Sequence, residues 1–370
     1  YKTNNPINTS YNNKLMKSVF EHLSDEIIFE VFEYLDLYHV YYGFFSLNKR
    51  FKYLLVDSNI LIKINTLAIS KSKFEHYYQN IINPNKNRIN ILRLSNQFTV
   101  DIVFSPPHII SEFIQLEKLI LDNINMNNLY EIFQELMSLF NLRSLTLNIA
   151  EYVDSSIDIF SKLFLLPKLK YCYIKYQIKS DYSPLSNYLN ISSIEHLIIN
   201  ARFPYNELYK LMDCIPKIRY LSINYIIRSS PNNYNESYPV QLSKNFKKVS
   251  FSLDLIQLDQ FEKIIKNFFG NVEVLTISTN YDEAYLDANR WEHIISCYMP
   301  HLRIFDIKHD GCASKSTSTY HKLIYQFSLS YWNNNKWFFT YEHNWFQRVN
   351  SGTFYSTKPF RRNYYKFYWE

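Results

Sequence analysis

Apolar residues recur in one arrangement along most of the chain. Nine segments read apolar-x-x-apolar-x-apolar, opening at Ile89, Leu116, Leu142, Leu169, Ile194, Ile218, Phe246, Val272 and Leu302. Their openings lie 24 to 30 residues apart. The last three pattern positions, apolar-x-apolar, keep the two-residue spacing of a short strand. Between segments the spacing becomes helical. Leu129, Ile132, Phe133, Leu136 and Phe140 fall on one face, as do Leu208, Leu211, Met212 and Ile215. Phe261, Ile264, Ile265 and Phe268 form a third such face, and Trp291, Ile294, Ile295 and Tyr298 a fourth. Pro167, Pro216 and Pro300 each stand two residues before an opening. Proline cannot continue a helix and biases its predecessor toward extended backbone, so it marks the switch from helix to strand. Each unit is therefore predicted to be one helix and one short parallel strand. A single unit cannot bury its faces, but a stack of them can, which predicts an α/β solenoid.

The first sixty residues follow another rule. Ile27, Ile28, Val31, Phe32 and Leu35 fall at helical spacing, with Glu26, Glu30 and Glu33 elsewhere on the wheel. Ser24 is placed to cap this helix, with Asp25 and Glu26 where a helix start favours negative charge. Asp36 is placed to cap a second helix through Phe45, and Asn48 a third through Val56. A short three-helix module is the expectation.

Leu23-Ser24-Asp25-Glu26-Ile27, then Phe32-x-Tyr34-Leu35-Asp36-Leu37, then Ser46-Leu47-Asn48-Lys49-Arg50-Phe51 resemble the F-box. Ser24 stands where that family usually has proline, and Phe51 where tryptophan is common. The resemblance implies docking on the Skp-type adaptor of a cullin–RING ubiquitin ligase, through Leu23, Ser24, Ile27, Ile28, Phe32, Leu35 and Leu37. The repeats in turn resemble leucine-rich repeats. The ninth position of that pattern usually holds Asn or Cys. Here it holds Ile124, Ala150, Gln177, Arg202, Ile226, Asp254, Asn280 and Asp310, so an irregular array without a regular asparagine ladder is expected. The full expectation is a disordered lead over 1–18, an F-box over 19–62, a solenoid over 63–310 with a parallel concave sheet and outer helices, and an aromatic-rich cap over 311–370. Side chains between the apolar anchors would face the concave side. Tyr171, Tyr173, Lys175, His196 and Tyr220 are candidates to hold a target protein there, followed by Ser222, Asn224, Lys248, Thr276 and Asp306.

Four of the five tryptophans lie in the last sixty residues. Residues 323–332 and 336–342 are rich in aromatic and aliphatic side chains, with Asn333-Asn334-Asn335 between them as a turn. A β-hairpin that extends the sheet is predicted there. Lys358, Arg361, Arg362 and Lys366 among the following aromatics offer the other reading, a nucleic-acid stacking platform.

Composition adds mostly exclusions. The net charge is +6, which decides between neither an acidic protein nor a nucleic acid as partner. Cys172, Cys214, Cys297 and Cys312 are far apart, so reduced thiols in the cytosol or nucleus are expected. The glycines, Gly43, Gly270, Gly311 and Gly352, are isolated, and a phosphate-cradling loop needs several together. His293 and His301 flank Cys297 without metal-ligand spacing. No apolar run approaches the roughly 20 residues of a membrane span. No catalytic group, cofactor or metal is expected. The resemblance implies a binding subunit that presents a target protein to a ligase. A protein-interaction scaffold without a ligase role is the alternative, and a nucleic-acid-binding solenoid the weaker one.

Overall fold

A parallel strand that shows one face to helices buries every second residue, and the repeats meet that condition. The computed structural model describes residues 19–35, 37–56, 62–66, 70–104, 110–125, 129–153, 157–178, 190–228, 245–312, 322–323, 325–344 and 351–358. The disordered-lead expectation for 1–18, the Asp36 cap and the candidate stacking residues Arg361, Arg362 and Lys366 lie outside them.

The described residues form eleven α-helices and one sheet of twelve strands. The N-terminal helices are α1 (Asp25–Tyr34), α2 (Leu37–Phe44) and α3 (Lys49–Val56). Strand β1 (Ile62–Asn65), α4 (Lys71–Tyr77), β2 (Ile89–Leu94), α5 (Gln97–Phe104) and β3 (Lys118–Ile124) follow. Next come α6 (Leu129–Leu136), β4 (Ser144–Val153), α7 (Ile157–Leu163), β5 (Tyr171–Ile178), β6 (His196–Pro204), α8 (Leu208–Cys214) and β7 (Tyr220–Ile227). The rest are β8 (Lys248–Asp254), α9 (Leu258–Phe268), β9 (Val274–Asn280), α10 (Ala288–Tyr298), β10 (Ile304–Cys312), α11 (Ser330–Asn334), β11 (Phe338–Asn344) and β12 (Ser351–Lys358).

Strands β1 to β10 pair in chain order and all in parallel. Their register equals the sequence repeat. Leu119 partners Leu145, then Cys172, Leu197 and Leu221 across successive strands, and the row runs on through Val249 and Leu275 to Phe305. Every member of that row is fully buried. A slip of one residue would turn the row to the opposite face, so burial itself fixes the pairing. The helices cover the buried face. Leu208, Leu211 and Met212 of α8, and Phe261, Ile264, Ile265 and Phe268 of α9, enter the core. Gln257 and Gln260 close a capping box at the start of α9, and Asp287 accepts the Arg290 N–H at 3.0 Å at the start of α10.

Three sequence expectations need correction. Phe140 is exposed, because α6 stops at Leu136 and the chain turns before another helical residue can share its face. The sheet begins with β1, whose four residues are too short to carry the repeat pattern. The predicted hairpin of 323–332 with 336–342 does not form; the hairpin that extends the sheet is instead β11 with β12, in antiparallel pairing. Residues 330–334 are helical instead of extended, and the asparagines end that helix, with Lys336 at φ 58°. Strand β12 lies against β10, so the spatial order is β10-β12-β11. Gly352 makes room for the Tyr341 ring tip, which occupies the place a Cβ would take.

The N-terminal helices pack around Ile28, Phe32, Val40, Phe51 and Leu54. Phe51 stacks on Phe20 at 5.8 Å, filling the middle of the module. Asn48 caps α3, its Oδ1 accepting the Phe51 N–H at 3.0 Å. Arg50 ties the entry segment to α3: it donates to the carbonyls of Glu21 and Leu23 at 2.7 and 2.6 Å, and its Nε donates to Asp25 at 2.8 Å. Charge-assisted hydrogen bonds to carbonyls count for more than neutral ones, although partial exposure discounts them. Arg50→Ala is therefore expected to cost about 1–2 kcal/mol. Thermal unfolding of the variant checks this, and a midpoint equal to wild type would contradict the tether. The module rests on the solenoid through Leu37, Tyr38 and Tyr41, with Tyr38 edge-on to Tyr77 at 5.3 Å. Arg88 donates to the Leu55 carbonyl at 3.2 Å across the same junction.

Candidate functional site

Two surfaces are built from the residues that the sequence singled out. The first lies on the N-terminal module. Ser24 holds extended backbone (φ −65°, ψ 160°) at the start of α1. The Glu26 carboxyl is held below its ordinary value by a backbone hydrogen bond at this helix start, then by the Ser24 side chain. Among the seven candidate adaptor residues, Ser24, Ile27 and Leu35 are exposed. Ile28 and Phe32 are corrections: they point into the module's own core, since helical spacing gives the wheel an inner and an outer apolar edge. Leu23 packs half-buried on that core, and Leu37 packs on the solenoid. The sequence reading passed over Tyr34 and Tyr53, which are 90% and 72% exposed, and Leu47, also exposed. Tyr34 lies two helical turns after Ile27, and that spacing was the available signal.

The second surface is the open face of the sheet, opposite the helices. Tyr171, His196 and Tyr220 are register partners on β5, β6 and β7, with Lys248 next on β8. Tyr171 and His196 rings lie 6.4 Å apart, and His196 and Tyr220 rings 6.2 Å apart. The Lys248 ammonium sits 4.8 Å from the centre of the Tyr220 ring. Burial pushes the Tyr171 phenol above its ordinary value, so it remains a neutral hydrogen-bonding group. Tyr173 accepts a hydrogen bond from Asn200 at 3.2 Å, and Lys175 and Asn224 are exposed. Thr276 is half-buried. Ser222 is a correction: it is only 5% exposed, because its short side chain cannot rise above its neighbours. Asp306 is partly withdrawn as well, since it accepts a hydrogen bond from Ser356 of the last hairpin.

A charge ladder borders this face. The residue before each of strands β3 to β10 repeats as acid, base, base: Glu117, Arg143, Lys170; then Glu195, Arg219, Lys247; then Glu273, Arg303. Each backbone N–H in the row donates to the carbonyl of the member before it, at 2.7 to 2.9 Å. Lys170 and Arg219 flank Glu195 at 2.9 and 3.6 Å, and Lys247 meets Glu273 at 2.6 Å. These bonds hold the Glu195 and Glu273 carboxyls below their ordinary values, chiefly through Lys170 and Lys247.

Asn280 supplies one rung of the asparagine ladder. Its Oδ1 accepts the Leu255 N–H at 3.0 Å, and its Nδ2 donates to Asp254 at 2.8 Å. Leu255 has a φ of 57°, and this bond holds the turn.

Burial raises the Cys172 thiol to about 12 and the Cys214 thiol to about 11, so both are packing groups and not nucleophiles. Among the described residues, no group of three or more His, Cys, Asp or Glu side chains is arranged to hold a metal ion. Among them, too, no helix is long and apolar enough to cross a membrane. Comparison with known protein families and with curated proteins finds no match to this chain.

Proposed function

We propose that this chain is the substrate-recognition subunit of an SCF-type cullin–RING ubiquitin ligase, without catalysis of its own. The three-helix module acts as the F-box and docks the Skp-type adaptor, which links it to the cullin. The open face of the leucine-rich-repeat-like solenoid holds the target protein. The observation that carries the reading is the exposure of Ile27, Tyr34, Leu35 and Leu47 on a module whose sequence already follows the F-box order. Large apolar side chains left exposed on a small module suit an interaction surface, and an apolar helix face suits a hydrophobic groove.

Separating the two apolar edges of α1 tests it. Ile27→Asp with Leu35→Asp removes two exposed anchors, each worth about 1–2 kcal/mol of binding. The full chain carrying both changes is expected to recover at least about tenfold less recombinant adaptor in a pull-down. Its melting temperature should stay within a few degrees of wild type. Equal recovery, or no recovery by wild type, would leave an interaction scaffold without a ligase role.

A further inference from the structure

The charge ladder carries an inference that rests on the target-receptor reading and specifies what the target presents. We propose that the rim at the strand N-termini docks an acidic, extended protein segment running across the strands, with one carboxylate facing the rim every four residues. The cations stand outward: the side chains of Lys170, Arg219 and Lys247 are 57%, 65% and 55% exposed. The anions between them are drawn in, with Glu195 and Glu273 at 22% and 34%. Lys168 and Lys217 lie two residues ahead of Lys170 and Arg219 and are exposed at the same rim. The rim is therefore positive despite its glutamates.

Spacing selects the occupant. Adjacent cations, Arg143 with Lys170 and Arg219 with Lys247, recur after three strands. Neighbouring strands lie about 4.8 Å apart, so the pairs are separated by roughly 14 Å. An extended peptide rises about 3.4 Å per residue, so four residues cover nearly the same distance. Glutamates at every third strand would repel an unbroken phosphate chain, whereas a peptide places its charges only where they are wanted. One face of the Tyr220 ring, which a base could use for stacking, is already occupied by Lys248. The row of Tyr171, His196 and Tyr220 lies one position further along the strands, where it would meet the side chains between the carboxylates.

The test uses the full chain and fluorescence anisotropy with four labelled probes. These are a twelve-residue peptide with Glu at every fourth residue, its Gln counterpart, a peptide with the same glutamates clustered, and a twelve-nucleotide single strand of DNA. The spaced peptide is expected to bind about tenfold tighter than the Gln peptide and about threefold tighter than the clustered one. Arg219→Glu with Lys247→Glu should abolish that preference at an unchanged melting temperature. Glu195→Gln, which removes one inward anion, should strengthen binding about threefold and keeps the test valid if the double reversal unfolds. Tighter binding of the oligonucleotide, or indifference to both variants, overturns the proposal. Equal binding of the spaced and clustered peptides overturns its spacing. Adaptor recovery by the double variant should equal wild type, so failure at the rim and failure of the ligase reading are separable.

Discussion

Trp332→Ala is expected to lower the unfolding free energy by about 3–5 kcal/mol, the usual cost of truncating a large aromatic in a packed interior. Trp332 is buried at the end of the array, where Phe327 approaches its ring at 4.8 Å and Phe339 at 5.4 Å. Phe305, the last member of the buried row, lies 6.0 Å away. Trp337 completes the lid, its Nε1 donating to the Arg303 carbonyl at 3.3 Å. Without these rings the last repeat would show Phe305 and Ile307 to water, the liability that terminal units of repeat arrays must remove. Phe338 is the internal control: it is 40% exposed on the same hairpin, and its truncation should cost under about 1 kcal/mol. Urea unfolding of both variants decides. Similar costs for the two would mean that the hairpin is not the lid described here.

His309 is expected to make the protein lose stability as pH falls from neutrality. It is buried between β9 and β12, stacked 6.4 Å from Tyr285, with Nδ1 2.9 Å from the Thr279 hydroxyl. Its Nε2 meets no hydrogen-bond partner among the described residues. Burial brings the imidazole down to about 4, although Asp310, Asp282 and Glu283 pull the other way. In the unfolded chain it titrates near about 6.5. Below that pH the unfolded chain binds a proton that the folded one refuses. Stability is therefore fully present above about 6.5 and declines until about 4, by roughly 3 kcal/mol in all. His309→Phe removes the titration, and Thr279 keeps an acceptor in the Lys308 carbonyl at 3.4 Å. The variant should match or exceed wild type at pH 7, and the gap should widen as pH drops to 4. Parallel pH profiles would contradict this account.

The solenoid was legible because repetition averages out local ambiguity: nine apolar triplets in phase predict both the strands and their register. A single short aromatic run offers no such averaging. Residues 323–332 are as compatible with a buried helix as with a strand, and burial of Phe327 and Trp332 in one aromatic cluster decided for helix. The N-terminal module shows another limit. Periodicity found the apolar stripe of α1, but Ile27 and Ile28 differ only by one step around the wheel, and only the packed neighbours separate core from surface. Ser222 fails for size, not for phase. The ladder of charges was visible in the sequence at one fixed position, yet it gains meaning only when the register sets the charges side by side.

The order β10-β12-β11 has a consequence for the protein during its own synthesis. Strands β1 to β10 can each join the growing sheet as they leave the ribosome, because every partner has already been made. Strand β11 cannot, since the strand it pairs with is translated after it. Phe338 and Phe339 emerge with no ladder to join until residues 351–358 follow and insert beside β10. A nascent chain stalled between the two strands thus leaves the β11 edge without its ladder, the unpaired edge that invites association with other chains.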